Sequence, residues 1–267
     1  MATDDDRLAC DLAAEAGRRL VSLRSRGGDP DNLRKAGDRM AHEYLAAELA
    51  RYRPGDHVLS EEGADDPARL AAGRVWIVDP LDGTREFGDA GRTDWAVHVA
   101  LWERGRAGLT AGAVALPALG EMLSTAAPPP GPPAGRPAGR LRVVVSRSRP
   151  APFLPRMAGL LGADLVPLGS AGAKVAAVLQ GRADAYVHAG GQYEWDSAAP
   201  VAVARAAGFH ASRIGGRELF YNQADLLMPD ILVCPPALAA ELLDAIRSAR
   251  PGEPAGPAGP GEPGRSR

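Results

Sequence analysis

The spacing of apolar residues predicts two amphipathic helices at the start of the chain. Apolar side chains recur every three or four positions in RLACDLAAEAGRRLVSL (7–23) and again in DRMAHEYLAAELARY (38–52), which is the period of an α-helix. Asp38 opens the second run and is a candidate N-cap. The longer apolar runs that follow predict strands, several of them buried on both faces: VWIV, WAVHVALW and LTAGAVAL.

In the second half of the chain, strand and helix patterns alternate. The strands are LRVVVS, ADAYVHA and PDILVC, and the helices are residues 151–161, AGAKVAAVLQG, WDSAAPVAVARAAG and PALAAELLDAIRSA. A helix-and-meander half followed by an alternating half predicts a mixed fold of the α+β or α/β class. We expect an N-terminal α+β subdomain over residues 1–140 and a C-terminal α/β subdomain over residues 141–250.

Two segments are rich in proline and glycine. The stretch AAPPPGPPAGRPAG (126–139) cannot form a helix or a central strand, because proline lacks the backbone N–H. It is therefore predicted to be an exposed loop. Residues 251–267 have no sustained Gly-X-Y period and are predicted to be a disordered tail.

Composition and charge exclude several classes of protein. The 267 residues are 45% hydrophobic and 24% charged, as in ordinary globular proteins. The net charge of −2 gives no field that would recruit a nucleic-acid polymer or an anionic membrane. No apolar run approaches the ~20 residues that span a bilayer, and the acidic N-terminus is unlike a signal peptide. Two distant cysteines make a disulfide framework or a thiolate zinc site unexpected. We expect a cytoplasmic protein.

The stretch RVWIVDPLDGTREF (74–87) ends an apolar run with two acids three positions apart. Because Pro80 cannot donate to a sheet, the strand is expected to end at about Asp79. The carboxylates of Asp79 and Asp82 then converge on one turn, where Gly83 permits close backbone approach. Converging carboxylates repel unless a cation lies between them. Oxygen-only ligands favour Mg²⁺ or Mn²⁺ over zinc.

Two other interpretations of the acidic turn stay open at this point. Both acids could be exposed and cap backbone N–H groups. Haloacid-dehalogenase-like phosphatases also place D-x-D-G-T after an apolar strand, with the first Asp as a covalent nucleophile. Their acids are two positions apart, whereas Asp79 and Asp82 are three apart, a spacing that favours chelation.

Two further acidic stretches flank this turn in the sequence. LSEEG (59–63) contains Glu61, and EWDSAAP (194–200) places Asp196 at the start of a predicted helix. Alone, the first would be a solvated pair and the second an N-cap. In their order, SEE, WIVDPLDGTREF and WDSAAP resemble the lithium-sensitive, metal-dependent phosphomonoesterase superfamily, which includes inositol monophosphatase, fructose-1,6-bisphosphatase and the 3′(2′),5′-bisphosphate nucleotidases. The resemblance extends from about residue 5 to residue 247.

This resemblance implies a layered α-β-α-β-α sandwich and a site with two or three Mg²⁺ ions, for which Mn²⁺ can substitute. The implied metal ligands are Glu61, Asp79, Asp82, Asp196 and the backbone carbonyl of Leu81. Thr84 and Asp38 resemble the pair that orients the attacking water, and Glu61 shares in catalysis. The segment RKAGDRM lacks a threonine that often precedes this acid, so the N-cap interpretation of Asp38 stays open. The N–H groups of residues 83–85, at a helix N-terminus, can hold the phosphate.

The substrate is indicated by two further stretches. Arg85-Glu86-Phe87 resembles the CysQ-like bisphosphate nucleotidases, whereas inositol monophosphatases usually have Asn-Phe. LGSAGAKVAAVLQG (168–181) resembles the nucleotidase stretch whose serine and lysine contact the nucleotide, here one residue longer. The implied substrate-binding residues are Asp82, Gly83, Thr84, Arg85, Gly169, Ser170, Lys174 and Asp196. Lys174 could instead be a solvated helix residue. His188 lies near the position where inositol phosphatases tend to have a sugar-binding glutamate. It could instead be a strand residue whose hydrogen bonds are made within the protein.

Together these features predict a Mg²⁺-dependent phosphomonoesterase of sulfur assimilation. It would convert 3′-phosphoadenosine 5′-phosphate to AMP, or 3′-phosphoadenylyl sulfate to adenylyl sulfate, as a monomer or homodimer whose ligand is a small phosphate ester. An inositol 1-phosphatase or a broad sugar phosphatase is the alternative activity. A non-catalytic metal-binding regulatory protein is the alternative of another class.

Overall fold

The structure is a computed structural model that describes residues 3–106 and 108–250. The tail predicted for residues 251–267 lies outside the described part. Among the described residues, no helix has the length and apolar character that crossing a membrane requires.

Two long helices begin the chain, α1 (Asp4–Ser25) and α2 (Pro30–Tyr52). Helix α2 starts well before the predicted position, because Asp29 is its N-cap and accepts a hydrogen bond from the Asn32 N–H at 3.0 Å. Pro30 takes the first helical position, where its missing N–H costs nothing. Asp38 therefore lies inside the helix, and its prediction as an N-cap is wrong.

The first sheet has the order β1-β2-β3-β4-β5. Its strands are β1 (His57–Ser60), β2 (Arg74–Asp82), β3 (Ala96–Glu103), β4 (Gly108–Leu116) and β5 (Glu121–Ser124). Strand β1 runs parallel to β2, and the remaining neighbours are antiparallel. A short helix, α3 (Thr84–Gly88), follows β2, and two 3₁₀ turns cover Pro67–Leu70 and Pro117–Leu119.

Strand β2 does not end at Asp79 as predicted. It continues to Asp82, and its register with β3 shifts between these two residues. Asp79 pairs with His98, and Asp82 pairs with Ala96. The irregularity accommodates Pro80, which has no N–H to give to the ladder.

The second sheet has the order β7-β6-β8-β10-β9. Its strands are β6 (Leu141–Ser146), β7 (Ala163–Leu168), β8 (Ala185–Tyr193), β9 (His210–Ser212) and β10 (Leu227–Cys234). The helices of this half are α4 (Leu154–Leu161), α5 (Ala171–Leu179), α6 (Glu194–Ala206) and α7 (Pro236–Ala249). Strand β6 is parallel to β7 and β8, whereas β10 is antiparallel to β8 and β9. Residues 126–139 contain no helix or strand and are mostly exposed, as predicted.

Three hydrophobic cores hold five layers together. Helices α1 and α2 pack on the outer face of the first sheet, as Leu12 and Leu45 do with Trp76. Helices α5 and α6 lie between the sheets, and α4 and α7 cover the outer face of the second. The predicted α-β-α-β-α sandwich is thereby confirmed.

Alternation along β2 explains why the strand is apolar throughout. Trp76 and Val78 belong to the outer core with α1 and α2, whereas Val75 and Ile77 belong to the central core with α5 and α6. The central helices come from the second half of the chain and pack against both sheets. The subdomain boundary at residue 140 stays a prediction, because the central layer joins the two halves.

Candidate active site

The acidic turn is the point where β2 leaves the core. Asp79 and Asp82 are 1% and 6% exposed, so neither is a solvated turn residue. The Leu81 N–H donates to Asp79 Oδ1 at 3.1 Å. Gly83 has a φ of 88°, and a Cβ there would lie 3.0 Å from the Ser170 side chain. Glycine is therefore required by both the backbone conformation and the close approach of the second half.

Helix α6 brings the third carboxylate from the other half of the chain. Asp196 is its third residue and accepts the Tyr193 N–H at 2.8 Å. Tyr193, rather than Asp196, occupies the N-cap position. Trp195 is 8% exposed, belongs to the central core and stacks on the Tyr193 ring. This packing fixes the first turn of α6, and Asp196 with it.

One carboxylate oxygen from each of Asp79, Asp82 and Asp196 lies within 4.8 Å of the other two. Burial, followed by the charges of Glu61, Asp82 and Asp196, raises the pKa of Asp79 well above its usual range. Burial and the charge of Asp82 raise the pKa of Asp196 to about 6. Asp79 and Asp196 therefore resist ionisation, as expected of buried carboxylates that face one another.

Asp82 is the exception within this cluster. Burial acts to raise its pKa, but His98, Lys174 and the Gly172 N–H outweigh burial and lower it. Asp82 thus carries its negative charge readily, next to two acids that do so reluctantly. The set offers oxygen ligands only, from three carboxylates. Such a set fits a hard divalent cation and does not suit a soft metal.

Glu61 lies beside this cluster. Because β1 is parallel to β2 and Ser60 pairs with Val78, the chain leaves β1 next to Asp79. Glu61 is exposed and is not among the residues whose oxygens lie within 4.8 Å. Its carboxylate is nevertheless partly withdrawn from water, and this desolvation, with the charges of Asp196 and other nearby acids, raises its pKa to about 8.

Thr84 and Asp38 meet next to the acidic turn. Thr84 Oγ1 lies 3.2 Å from Asp38 Oδ1 and 3.0 Å from the Leu81 carbonyl oxygen. The side chain of Asp38 reaches this point from the middle of α2. Burial and the charge of Glu62 raise the pKa of Asp38 to about 6. The Leu81 carbonyl keeps a second lone pair for another partner.

The start of α5 closes over the turn. Ser170 is its N-cap, 2% exposed, and Ser170 Oγ accepts the Ala173 N–H at 2.8 Å. The Gly169 N–H donates to Asp94 Oδ2 at 2.6 Å, and the Gly172 N–H donates to Asp82 Oδ2 at 2.7 Å. These hydrogen bonds connect the start of α5 to Asp94 and to the acidic turn.

Lys174 is buried, with 3% exposure, so its interpretation as a solvated helix residue is wrong. Its Nζ donates to the Gly169 carbonyl and lies 5.3 Å from the centroid of the Tyr186 ring. Burial lowers the pKa of Lys174 to about 8, against the opposing charges of Asp82 and Asp196. The Lys174 ammonium is therefore a buried positive charge next to the carboxylate cluster.

Two other predicted residues differ in accessibility. Arg85 is exposed beside the turn. His188 is 4% exposed and its Nε2 lies 3.0 Å from the Gly190 carbonyl oxygen. Burial, then the charge of Lys174, lowers the pKa of His188 to about 4. His188 is a satisfied strand residue in this structure, and Arg85 is open to a ligand.

His98 was missed by the sequence analysis. It is completely buried, and its two ring nitrogens each lie 3.2 Å from an oxygen, Asp82 Oδ2 and the Trp195 carbonyl. The signal in the sequence was a single titratable residue within the apolar strand WAVHVALW. A buried polar side chain is costly without partners, and here both partners belong to the site.

A second group missed from the sequence supports the first turn of α6. The Arg69 side chain is buried and donates to Asn222 Oδ1 at 2.7 Å and to the Gln223 carbonyl at 2.9 Å. Glu194, at the start of α6, accepts the N–H groups of Asn222 and Gln223 at 2.6 and 2.7 Å. This network connects the segment after Glu61 to the helix that carries Asp196.

Comparisons with known proteins show what the whole chain is similar to. The family model described as "Inositol monophosphatase family" matches residues 7–129 and 138–250. A 3′-phosphoadenosine 5′-phosphate phosphatase of Mycobacterium leprae (strain TN) is 51% identical over 253 residues, which cover 91% of this chain and 93% of that protein. The 3′(2′),5′-bisphosphate nucleotidase CysQ of Escherichia coli (strain K12) is 32% identical over 231 residues, covering 80% and 92%.

Solved structures give the same fold. Inositol monophosphatase-II from Staphylococcus aureus MSSA476 is similar with a TM-score of 0.77 at 21% identity, over 89% of this chain and 94% of that one. Mycobacterium tuberculosis SuhB is similar with a TM-score of 0.72 at 25% identity, over 91% and 96%.

Proposed function

The chain belongs to the inositol monophosphatase family, and we propose that it is a Mg²⁺-dependent phosphomonoesterase that hydrolyses 3′-phosphoadenosine 5′-phosphate to AMP and phosphate. The 3′-phosphate of 3′-phosphoadenylyl sulfate is a second substrate of the same chemistry. Both reactions remove the 3′-phosphate from an adenosine nucleotide, and both belong to sulfur assimilation.

One observation carries the choice of substrate. The relative from M. leprae is 51% identical over 91% of this chain and is named a 3′-phosphoadenosine 5′-phosphate phosphatase. The inositol monophosphatase structures are related at only 20–21% identity and support the fold alone. We therefore prefer a bisphosphate nucleotide to an inositol phosphate.

The metal would be held by Asp79, Asp82 and Asp196, whose oxygens lie within 4.8 Å of one another. Glu61 and the Leu81 carbonyl are further candidate ligands at the edge of this group. When bound, Mg²⁺ supplies positive charge that neutralises the phosphoryl oxygens and makes a neighbouring water more acidic. The raised pKa values of Asp79 and Asp196 support this assignment, because a cation offsets both the burial and the mutual repulsion that raise them.

Thr84 and Asp38 would orient the attacking water. Because the Thr84 hydroxyl donates a hydrogen bond to Asp38 Oδ1 at 3.2 Å, Thr84 Oγ1 has lone pairs left to accept a hydrogen bond from water. The raised pKa of Asp38, about 6, makes it a better proton acceptor than an ordinary aspartate. The water attacks phosphorus directly, and its proton passes to Asp38 through Thr84. The bond to the leaving 3′-oxygen breaks, that oxygen takes up a proton from solvent, and no covalent enzyme intermediate forms.

The second phosphate of the nucleotide needs a cationic partner. Arg85 is exposed next to the acidic turn, so its guanidinium can reach a bound ester and form charge-assisted hydrogen bonds. The buried Lys174 does not contact the ester directly, and its positive charge instead acts on the neighbouring carboxylates of Asp82 and Asp196. Gly83 and Thr84 add backbone N–H groups at the start of α3.

A phosphate-release assay on purified protein tests this proposal. With Mg²⁺, kcat/KM for 3′-phosphoadenosine 5′-phosphate should exceed those for inositol 1-phosphate and fructose 1,6-bisphosphate by about tenfold or more. EDTA should abolish release, and added Mg²⁺ should restore it. Equal rates on all three esters would indicate a broad sugar phosphatase. Mg²⁺ binding without turnover of any ester would indicate a regulatory metal-binding protein.

A further inference from the structure

We infer that His98 is a positioning residue that holds Asp82 and the first turn of α6 at a fixed separation, so that carboxylates from the two halves of the chain meet at one cation. This inference rests on the metal site of the proposed function. It does not depend on which phosphate ester is hydrolysed.

The position of His98 in the fold makes this role available. His98 pairs with Asp79 across the β2–β3 ladder and with Val114 on its other side, and it is completely buried. Its side chain lies on the face of the first sheet that α5 and α6 cover, where it contacts Asp82 and Trp195. One imidazole therefore lies between an acidic residue of the first sheet and a helix of the second half.

The two contacts of the ring are specific in chemistry. A carbonyl oxygen can only accept, so His98 Nδ1 carries the proton that faces the Trp195 carbonyl at 3.2 Å. That carbonyl belongs to the peptide bond that links Trp195 to Asp196. Fixing this peptide orients the residue whose carboxylate completes the cluster. The imidazole has only two side-chain torsions, so it holds its partners more rigidly than a longer side chain would.

The other ring nitrogen of His98 contacts only one of the two carboxylate oxygens of Asp82. His98 Nε2 lies 3.2 Å from Asp82 Oδ2, and the same oxygen accepts the Gly172 N–H at 2.7 Å. Both contacts fall on Oδ2, which leaves Oδ1 for a cation. Partners of this kind orient metal ligands in many proteins, and their loss typically weakens metal binding about 10- to 100-fold.

The packing around the ring leaves little freedom for another arrangement. A Cβ placed on Gly172 would lie only 2.3 Å from His98 Nε2, so the start of α5 lies directly against the imidazole. The same helix start donates to Asp82. His98 thus adjoins both the start of α5, which donates to Asp82, and the start of α6, which carries Asp196.

The test uses His98→Leu, His98→Gln and His98→Asn in the full-length protein. Leucine removes both polar contacts, whereas the glutamine amide reaches the Nε2 position and the asparagine amide reaches the Nδ1 position. The measurement is the Mg²⁺ concentration that gives half of the maximal rise in melting temperature, without substrate. We expect this concentration to rise about tenfold or more for His98→Leu, and less for each amide variant.

Steady-state kinetics give a second readout. At saturating Mg²⁺, KM for the phosphate ester should stay within about twofold of the wild type for the amide variants, while the Mg²⁺ concentration needed for half-maximal activity rises. A residue that only filled space would lower stability and leave this Mg²⁺ requirement unchanged. His210→Gln is the matched control, because His210 contacts Ser212 Oγ at 2.9 Å in the second sheet, and it should not change the Mg²⁺ response.

The outcomes separate this inference from the proposed function. If the wild type gains no stability from Mg²⁺, the proposed metal site fails and the inference fails with it. If the wild type responds but all folded His98 variants keep the wild-type Mg²⁺ concentration, the positioning role alone is overturned. Should His98→Leu not fold, the comparison of the glutamine and asparagine variants with the wild type decides the question.

Discussion

The acidic turn at residues 79–83 and the start of α5 at residues 169–174 are both buried, polar and predicted to bind ligands, yet their polar groups are in opposite states. At the α5 start, Ser170 accepts a backbone N–H and the Lys174 ammonium donates to a carbonyl. At the turn, Asp79 accepts one backbone N–H and otherwise faces like charges.

This contrast separates two reasons for burying a polar residue. A group that is hydrogen-bonded within the protein stabilises the fold, and its loss lowers the free energy of unfolding. A group that meets mainly like charge destabilises the metal-free protein, and a ligand of opposite charge compensates. Asp79 therefore belongs to the chemistry, whereas the α5 start belongs mainly to the framework, which also holds Asp82 through the Gly172 N–H.

Asp79→Asn should have the largest effect on activity and tests the role of the acidic turn most directly. Asparagine keeps the shape of Asp79 but removes the charge that a cation needs, so kcat/KM should fall at least about 100-fold. The melting temperature without Mg²⁺ should stay equal or rise, because repulsion within the cluster is relieved.

Asp184→Asn provides the matched control for Asp79→Asn. Asp184 is also a buried carboxylate, at 6% exposure, but it accepts hydrogen bonds from Arg142. Its substitution should lower the melting temperature and leave kcat/KM nearly unchanged. If Asp79→Asn destabilised the protein in the same way and kept its turnover, the turn would be a structural element.

Lys174→Met is expected to have the next largest effect. Methionine fills a similar volume but removes the positive charge behind Asp82 and Asp196, so kcat/KM should fall about tenfold. Because the ammonium is buried against the Gly169 carbonyl, the loss should be similar for a bisphosphate nucleotide and for any monophosphate ester that the enzyme hydrolyses. A loss confined to the nucleotide would instead identify Lys174 as a direct substrate contact.

Local patterns in the sequence were sufficient for much of the fold and for the acidic turn. The Pro80 and Gly83 positions indicate an irregular end to an apolar strand. The strand continues to Asp82 rather than ending at Asp79 as predicted, and its register shift lies between the two acids. The helices and long strands follow from their periodicity. Short strands such as His210–Ser212 were missed, because three residues carry too little pattern to define a period.

Contacts between distant residues could not be predicted from the pattern. Arg69 and Asn222 are 153 positions apart, and nothing local to either indicates the other. His98 illustrates the same limit: the sequence predicts its burial, but its two partners come from a turn and a helix that meet only in the folded chain. Asp196 was associated with the turn by family resemblance, since its own surroundings suggest a helix cap.

The pH dependence of stability without metal should give a smaller effect than these substitutions, and it also distinguishes the carboxylate cluster from the α5 start. The folded-state pKa values of Asp196 and Glu61, about 6 and about 8, lie above the ordinary values of 3.8 and 4.5. Raised carboxyl pKa values give stability that is fully present below the ordinary values and is lost as pH rises through the folded ones. His188 acts in the opposite sense, because its pKa is lowered.

Mg²⁺ isolates the part of this pH dependence that belongs to the cluster. The cation binds the ionised carboxylates, so the rise in melting temperature on adding Mg²⁺ should grow from about pH 5 to about pH 8, by a few degrees. Differential scanning fluorimetry with Mg²⁺ or EDTA measures this difference. The increase should be smaller in Asp196→Asn. A rise that is independent of pH would mean that Mg²⁺ binds groups already ionised at pH 5.

Ser170→Ala should give the smallest effect, and it tests the other side of the comparison. Ser170 was predicted to contact the substrate, but its hydroxyl accepts the Ala173 N–H at 2.8 Å and the residue is 2% exposed. Loss of an N-cap of this kind typically costs about 1 kcal/mol of stability, which urea unfolding can measure. The kcat/KM for 3′-phosphoadenosine 5′-phosphate should change less than about threefold, and Ser170→Thr should recover most of the stability because threonine also caps helices. If the alanine variant unfolded like the wild type but lost about tenfold in kcat/KM, the hydroxyl would be serving the substrate, and the assignment of the α5 start to the framework would have to be abandoned.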